Sequence, residues 1–206
     1  MIKPTATLAT ERLLLRQWQP CDLPVFAEMN ADSEVMQYFP KVLSKQTSNL
    51  IANKCQQLIE DNGWGFWAVS LKEGAADTFI GMVGLNQIHA DMPFTGVEIA
   101  WRLHKDYWRN GYALEAAQAA LKYAFDVLAL EEVVAFTAIS NQPSQRLMQR
   151  LGMTNTNQVF DHPMLNANHP LAPHVLSKKR KRTPPDIRVE VNFASLANLA
   201  GSECIA

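Results

Sequence analysis

VEIAWRLHKDYWRNGYALEAAQAALKYAFDVL, residues 97–128, carries a strand, a charged turn and a helix in one unbroken stretch. Val97, Ile99, Trp101 and Leu103 alternate with Glu98, Ala100, Arg102 and His104, the period-two pattern of a strand with two unlike faces. Beyond the turn the period lengthens. Ala113, Ala117, Ala120, Leu121, Ala124 and Leu128 fall on one stripe, with Glu115, Gln118, Lys122 and Asp126 opposite, as in an amphipathic helix. A strand that enters a helix through Arg109-Asn110-Gly111 leaves the first backbone N–H groups of that helix without partners. Such an end attracts anions.

Working outward, Arg12 to Trp18 is an apolar strand closed by Pro20, with Asp22 placed to cap a short helix. A second helix is expected from Ser44 through Ile51, Cys55, Leu58 and Ile59 to a stop at Asp61-Asn62-Gly63. Trp64 to Leu71 and Phe79 to His89 form consecutive strands around a turn at residues 72–77. Glu132 to Ile139 is almost wholly apolar, as in a strand buried on both faces. Asn141-Gln142-Pro143-Ser144 then starts a helix that ends at Gly152. After it come a weak strand at Asn157 to Phe160, a long loop with prolines and histidines, and a last strand at His174-Val175-Leu176.

The 206 residues, 48% of them apolar, suffice for one domain with one substantial core. We divide the chain into a domain at 1–177 and a basic linker and tail at 178–206. The tail holds the run Lys178 to Arg182, a Pro184-Pro185 break and the alternating stretch Ile187 to Phe193, which suits strand addition between two copies of the chain, a homodimer. A net charge of −1 gives no general drive toward nucleic acid or membrane, so neither is expected as a partner. Cys21, Cys55 and Cys204 are odd in number and far apart, which indicates neither a disulfide framework nor a zinc site. Reduced thiols, with neither a signal-peptide pattern nor a membrane-length apolar run, give a cytoplasmic expectation. Scattered histidines beside Asp161 lack metal-ligand spacing, so no metal is expected.

The junction has neither the G-x-G-x-x-G fingerprint of dinucleotide sites nor the lysine of a P-loop. In its register Glu98, Ile99, Leu103, His104, Tyr107, Trp108, Gly111, Tyr112, Ala113, Glu115 and Ala116 resemble the coenzyme A segment of the GNAT N-acetyltransferases, and most closely the ribosomal-protein-alanine N-acetyltransferase branch, RimJ/RimL-like. A second block, Asn141 and Ser144 followed by Leu147, Leu151, Gly152 and Met153, is similar to the family's N-x-x-S…L-G-F segment. The resemblance runs over residues 8–177.

It implies an α/β (α+β) fold. The sheet would be mixed and mostly antiparallel, of six to seven strands, with a V-shaped splay between the fourth and fifth strands and about four flanking helices. It also implies an enzyme that moves an acetyl group from acetyl-CoA directly to a primary amine, a protein N-terminus or a small molecule. The alternative is a catalytically inactive coenzyme A-binding sensor or assembly protein of the same fold. The expected coenzyme A residues are Trp101, Arg102, Leu103, Trp108, Arg109, Asn110, Gly111, Tyr112, Ala113, Leu114, Asn141 and Ser144.

An amine must lose its proton before it attacks a thioester, so a base is required. Glu98 matches the catalytic glutamate of some family members, with Trp67 and Trp101 as neighbours that raise its pKa by excluding water. His104, His162 and His174 are the other bases, His162 foremost among them. Many relatives carry a Tyr that protonates the departing thiolate, but this chain has Met148 there. Methionine has no proton to give, and Ser144 is the replacement. Tyr38, Phe39 and Trp67 are the expected lining of the acceptor pocket.

Overall fold

The computed structural model describes residues 5–72, 78–166 and 168–181. The chain runs β1 (Leu8–Ala9), β2 (Leu13–Arg16), α1 (Asp22–Ala31), α2 (Lys45–Asn62), β3 (Phe66–Leu71), β4 (Thr78–Gln87) and β5 (Val97–Leu103). A 3-10 turn (Lys105–Tyr107) leads into α3 (Tyr112–Asp126), followed by β6 (Glu132–Ala138), α4 (Gln142–Arg150), β7 (Thr154–Asp161) and β8 (Pro173–Arg180). The strands make one mixed sheet in the order β1-β2-β3-β4-β5-β6-β8-β7. Every neighbouring pair is antiparallel except β5 and β6, which are parallel and share a single register pair, Glu98 with Val134. Beyond that pair the two strands part, which is the expected splay.

Which residues face which way follows from the register. Trp67, Val83 and Trp101 lie side by side on β3, β4 and β5, as do Leu85 and Ile99, and this face is covered by α3. The buried stripe Ala116, Ala117, Ala120, Leu121 and Ala124 brings the α3 backbone close to the strands, because methyl groups need little room. Tyr123 of α3 meets Trp67 edge-on at 5.6 Å. The other face carries Met82, Gly84 and Asn86 of β4 beside Arg102, Ala100 and Glu98 of β5; Arg102 bonds Asn30 of α1. A second apolar cluster, Ile88, Met92, Val134 and Leu176 with Phe94, Phe136 and Phe160 around them, fills the space where β6 and β8 lie.

The helix signals act as the sequence indicates. Ser44 accepts the Thr47 N–H at 3.1 Å to cap α2, and Gly63 ends it with φ of 83°. Asn141 caps α4 by accepting the Ser144 N–H at 3.2 Å. Three details differ from the sequence reading. The sheet has eight strands, because two-residue β1 is too short to show alternation. The N-cap of α1 is Cys21, without a side-chain bond, while the Asp22 carboxylate accepts the Gln19 N–H and forms a buried pair with Arg16 at 2.7 and 2.9 Å. Lys178, Lys179 and Arg180 belong to β8, where Lys178 and Arg180 both pair with Glu132. Residues 182–206, with the homodimer expectation attached to Ile187–Phe193, lie outside the described residues.

Gly84 shows how tightly β3 and β4 cross. A Cβ there would stand 2.0 Å from the Gly65 oxygen, and that oxygen already accepts the Leu85 N–H at 3.0 Å. Relief would need backbone movement in a packed sheet. Gly84→Ala is therefore expected to lower folding stability by about 2–4 kcal/mol, read as a shift in the midpoint of urea unfolding.

Candidate active site

The turn between β5 and α3 is built for an anion. Arg109 and Gly111 both take positive φ, 65° and 82°, which turns successive N–H groups toward one side of the chain. The first intrahelical bond of α3 runs from the Glu115 N–H to the Gly111 oxygen at 3.0 Å, so the N–H groups of Tyr112, Ala113 and Leu114 precede the ladder. Arg12 fixes this end from β2's side. Its guanidinium pairs with Glu115 at 2.6 Å, donates to the Asn110 oxygen at 3.1 Å and lies 4.5 Å over the Tyr112 ring. Trp108 packs against the core and donates its indole N–H to the Leu103 oxygen at 2.8 Å, while Arg109 and Asn110 are exposed. Where a phosphate group lies against this turn, backbone N–H groups, a helix N-terminus and the Arg109 charge all favour it.

From there the open side of β5 leads to a second group of side chains. Trp101 donates its indole N–H to the Ser144 hydroxyl oxygen at 3.2 Å. Ser144 in turn is held by Asn141, whose amide also donates to Thr137 of β6 at 2.9 Å. Residues expected to share one ligand, Trp101, Asn141 and Ser144, are thus brought together across the splay. The Ser144 proton remains available as a donor. Met148, one turn further along α4, is buried in the core and has no hydrogen-bond role.

Glu98 sits on the other face, at the only point where β5 and β6 are in register. Its carboxylate accepts one bond, from the Asn86 amide at 3.0 Å. Burial raises its pKa above the ordinary value, and the Asn86 bond only partly opposes this. Its register partner Val134 belongs to the second apolar cluster. Trp67 does not contribute to this environment. It is fully buried on the α3 face and donates its indole N–H to the Ala6 oxygen at 2.8 Å, so it stands away from the acceptor side where the sequence reading put it. Period two shows that a strand has two faces but not which helix covers each.

Tyr38 and Phe39 lie on the irregular connection between α1 and α2, on the same side as Glu98. The Phe39 ring lies 4.1 Å from the Arg102 guanidinium. Arg102 was expected to meet coenzyme A through its backbone, which lies on β5, while its side chain turns to the α1 side and bonds Asn30. Asn30 and Asn86 were not singled out from sequence, since each is a lone asparagine whose partner lies 72 or 12 residues away.

The histidines are mostly spoken for. His104 accepts the Asp106 N–H and closes the 3-10 turn. His162 accepts the Met164 N–H at Nδ1, at 3.2 Å, which in the neutral ring puts its proton on Nε2. It is therefore a donor rather than a base. His174 contacts the Ala172 oxygen through Nδ1 at 2.9 Å and so carries the opposite tautomer. The two rings lie 4.9 Å apart beside Phe136, and burial lowers the pKa of both. Among the described residues no group of three His, Cys, Asp or Glu side chains is placed to hold a metal ion. No helix among them is long and apolar enough to cross a membrane.

Known proteins share this fold. The sequence profile of the acetyltransferase (GNAT) domain family matches residues 12–154. The chain belongs to the GNAT acetyltransferases. This GNAT enzyme is 32% identical over 147 residues to the uncharacterized N-acetyltransferase YnaD of Bacillus subtilis, covering 71% of this chain and 81% of that one. A solved GNAT acetyltransferase from Bacillus anthracis, 26% identical, superposes with a TM-score of 0.71 over 85% of this chain and 98% of its own length. The RimL ribosomal L7/L12 alpha-N-protein acetyltransferase, solved in complex with coenzyme A, superposes with a TM-score of 0.67 over 85% of this chain and 98% of that one. At 13% identity that likeness is one of fold. The family takes its acetyl group from acetyl-CoA.

Glu98 gives a stability test that needs no substrate. Its pKa is raised in the folded chain, so the folded state holds the proton more tightly than the unfolded state. Stability therefore falls as pH rises from the ordinary value near 4.5 through the raised one. Glu98→Gln removes the buried charge. It is expected to raise the melting temperature at pH 7.5, with a gain that shrinks below pH 4.5 in paired thermal scans; equal melting temperatures at both pH values would contradict it.

Proposed function

We propose that this GNAT enzyme transfers the acetyl group of acetyl-CoA directly to a primary amine, on a protein N-terminus or on a small molecule. The observation that carries the reading is Glu98, a half-buried carboxylate of raised pKa at the point where β5 and β6 part. Raising the pKa of a carboxylate brings it closer to that of an ammonium group and makes it a better acceptor for the amine proton. Acetyl-CoA supplies an activated carbonyl and a leaving thiolate. The N–H groups of Tyr112, Ala113 and Leu114, with Arg109, hold the pyrophosphate at the start of α3, and Gly111 makes the close backbone approach possible.

Glu98 takes the amine proton through water and so creates the nucleophile. The Ser144 hydroxyl, oriented by Trp101 and Asn141, donates toward the departing sulfur in place of the absent tyrosine. His162, whose Nδ1 accepts the Met164 N–H, serves as a hydrogen-bond donor through Nε2. Neither exposed Cys21 nor buried Cys55 has a part in the transfer, because burial pushes the Cys55 thiol up to about 11 and keeps it protonated. Without an acyl-enzyme, attack on the bound thioester is direct.

Release of thiol with a broad amine and peptide panel tests this. Glu98→Gln should lower kcat by about 10²–10³-fold and remove the acidic limb of the pH–rate profile. Ser144→Ala should lower kcat by about tenfold, and Gly111→Ala should weaken acetyl-CoA affinity about tenfold, since an alanine with φ near 82° is strained. Tight acetyl-CoA binding without turnover, unchanged by Glu98→Gln, would leave a coenzyme A-binding protein without catalysis in its place.

A further inference from the structure

The guanidinium of Arg102 is held in place without a counter-ion. It lies on the same face of β5 as Glu98, two residues beyond Ala100, so the two side chains start about 13 Å apart along the strand. Three elements hold it. Asn30 of α1 accepts from Nη1 at 2.6 Å, Asn30 is oriented by donating to buried Ser48 of α2 at 2.8 Å, and the Phe39 ring packs against the guanidinium at 4.1 Å. All three partners are neutral. Among the described residues no carboxylate pairs with Arg102, and its Nε is closed to solvent with no acceptor. The thiol of Cys55 nearby is protonated and supplies no negative charge. A lone buried donor of this kind is destabilising until something accepts from it.

We propose that Arg102 recognises a carboxylate on the acceptor, so that the substrate class is an amine that also carries a free carboxyl group several bonds away, as in a short peptide or a diamino acid. This rests on the acetyl-transfer reading above. A carboxylate at Nη2, which no hydrogen bond engages, supplies the acceptor that Nε lacks once the packing that closes Nε to solvent opens, in the paired geometry that guanidinium groups favour. The amine of the same molecule then points along β5, over the small Ala100, to Glu98. Access runs past Tyr38-Phe39-Pro40, on the irregular connection between α1 and α2. Burial pulls the pKa of Arg102 down, to about 10, which leaves it cationic at neutral pH. Asn30 plays the positioning part, since it fixes the cation without neutralising it.

The test compares alanylalanine with its C-terminal amide, which keeps the amine and removes the negative charge. Wild type is expected to favour the free acid by at least about tenfold in kcat/KM, and Arg102→Met to collapse that ratio toward one while acetyl-CoA affinity, titrated separately, is retained. Asn30→Asp is the second variant. It supplies the guanidinium with an internal carboxylate of nearly the same shape, and should abolish the preference while raising the melting temperature. A wild-type ratio of one or below, or a ratio unchanged in both variants, overturns the proposal. If no acceptor releases thiol, acetyl transfer to amines is refuted. Calorimetric titration of the coenzyme A-loaded protein with alanylalanine still decides Arg102: binding lost in Arg102→Met upholds its role, and equal binding in the variant overturns it.

Discussion

One register pair between two parallel strands governs the working part of this molecule. If β5 and β6 were paired along their length, the sheet would be continuous and the side of β5 facing β6 would be consumed by ladder hydrogen bonds. Because they meet only at Glu98 and Val134, the backbone of β5 beyond that point is left open on one side. The anion cradle at the start of α3 lies at the end of the same strand. A ligand that places a phosphate on the cradle and a chain along the strand therefore reaches the pair where the strands join. There the carboxylate is half-buried and the Ser144 hydroxyl is within reach of the gap.

The face-specific packing explains how one strand serves two roles. On the α3 side, Ile99 and Trp101 join the large core, and Trp101 reaches over to α4. On the α1 side, Glu98, Ala100 and Arg102 form a polar row with one small residue at its centre. The two ends of that row are opposite in charge. The acidic end rests against the second apolar cluster, and the basic end rests on Asn30 and Phe39. The proposed acceptor chemistry follows from that polarity.

The strand–turn–helix unit was legible because its information is local. Period two, period 3.6 and a glycine between them need no knowledge of the rest of the chain, and α2 and α4 carried equally local caps. What escaped was relational. The alternation at Trp67 marked two faces but left open which one α3 would cover, so Trp67 was assigned to the acceptor side. That assignment turns on how the strands align, not on residue type. The Asn86 bond to Glu98 and the Asn30 bond to Arg102 likewise depend on partners brought together by the sheet. His162 was recognised as a residue of interest, but its tautomer is set by a backbone N–H two residues on, which composition does not reveal.

The second apolar cluster has a mechanical meaning. Phe94, on the connection between β4 and β5, meets Phe136 of β6 at 5.6 Å and Phe160 of β7 at 5.0 Å, so rings from both half-sheets interlock beside the junction of the splay. The molecule is built like a pair of tweezers, with β1 to β5 as one arm and β6 to β8 as the other. The Glu98 and Val134 pair is the fulcrum, and the three phenylalanines are the rivet that keeps the arms from sliding.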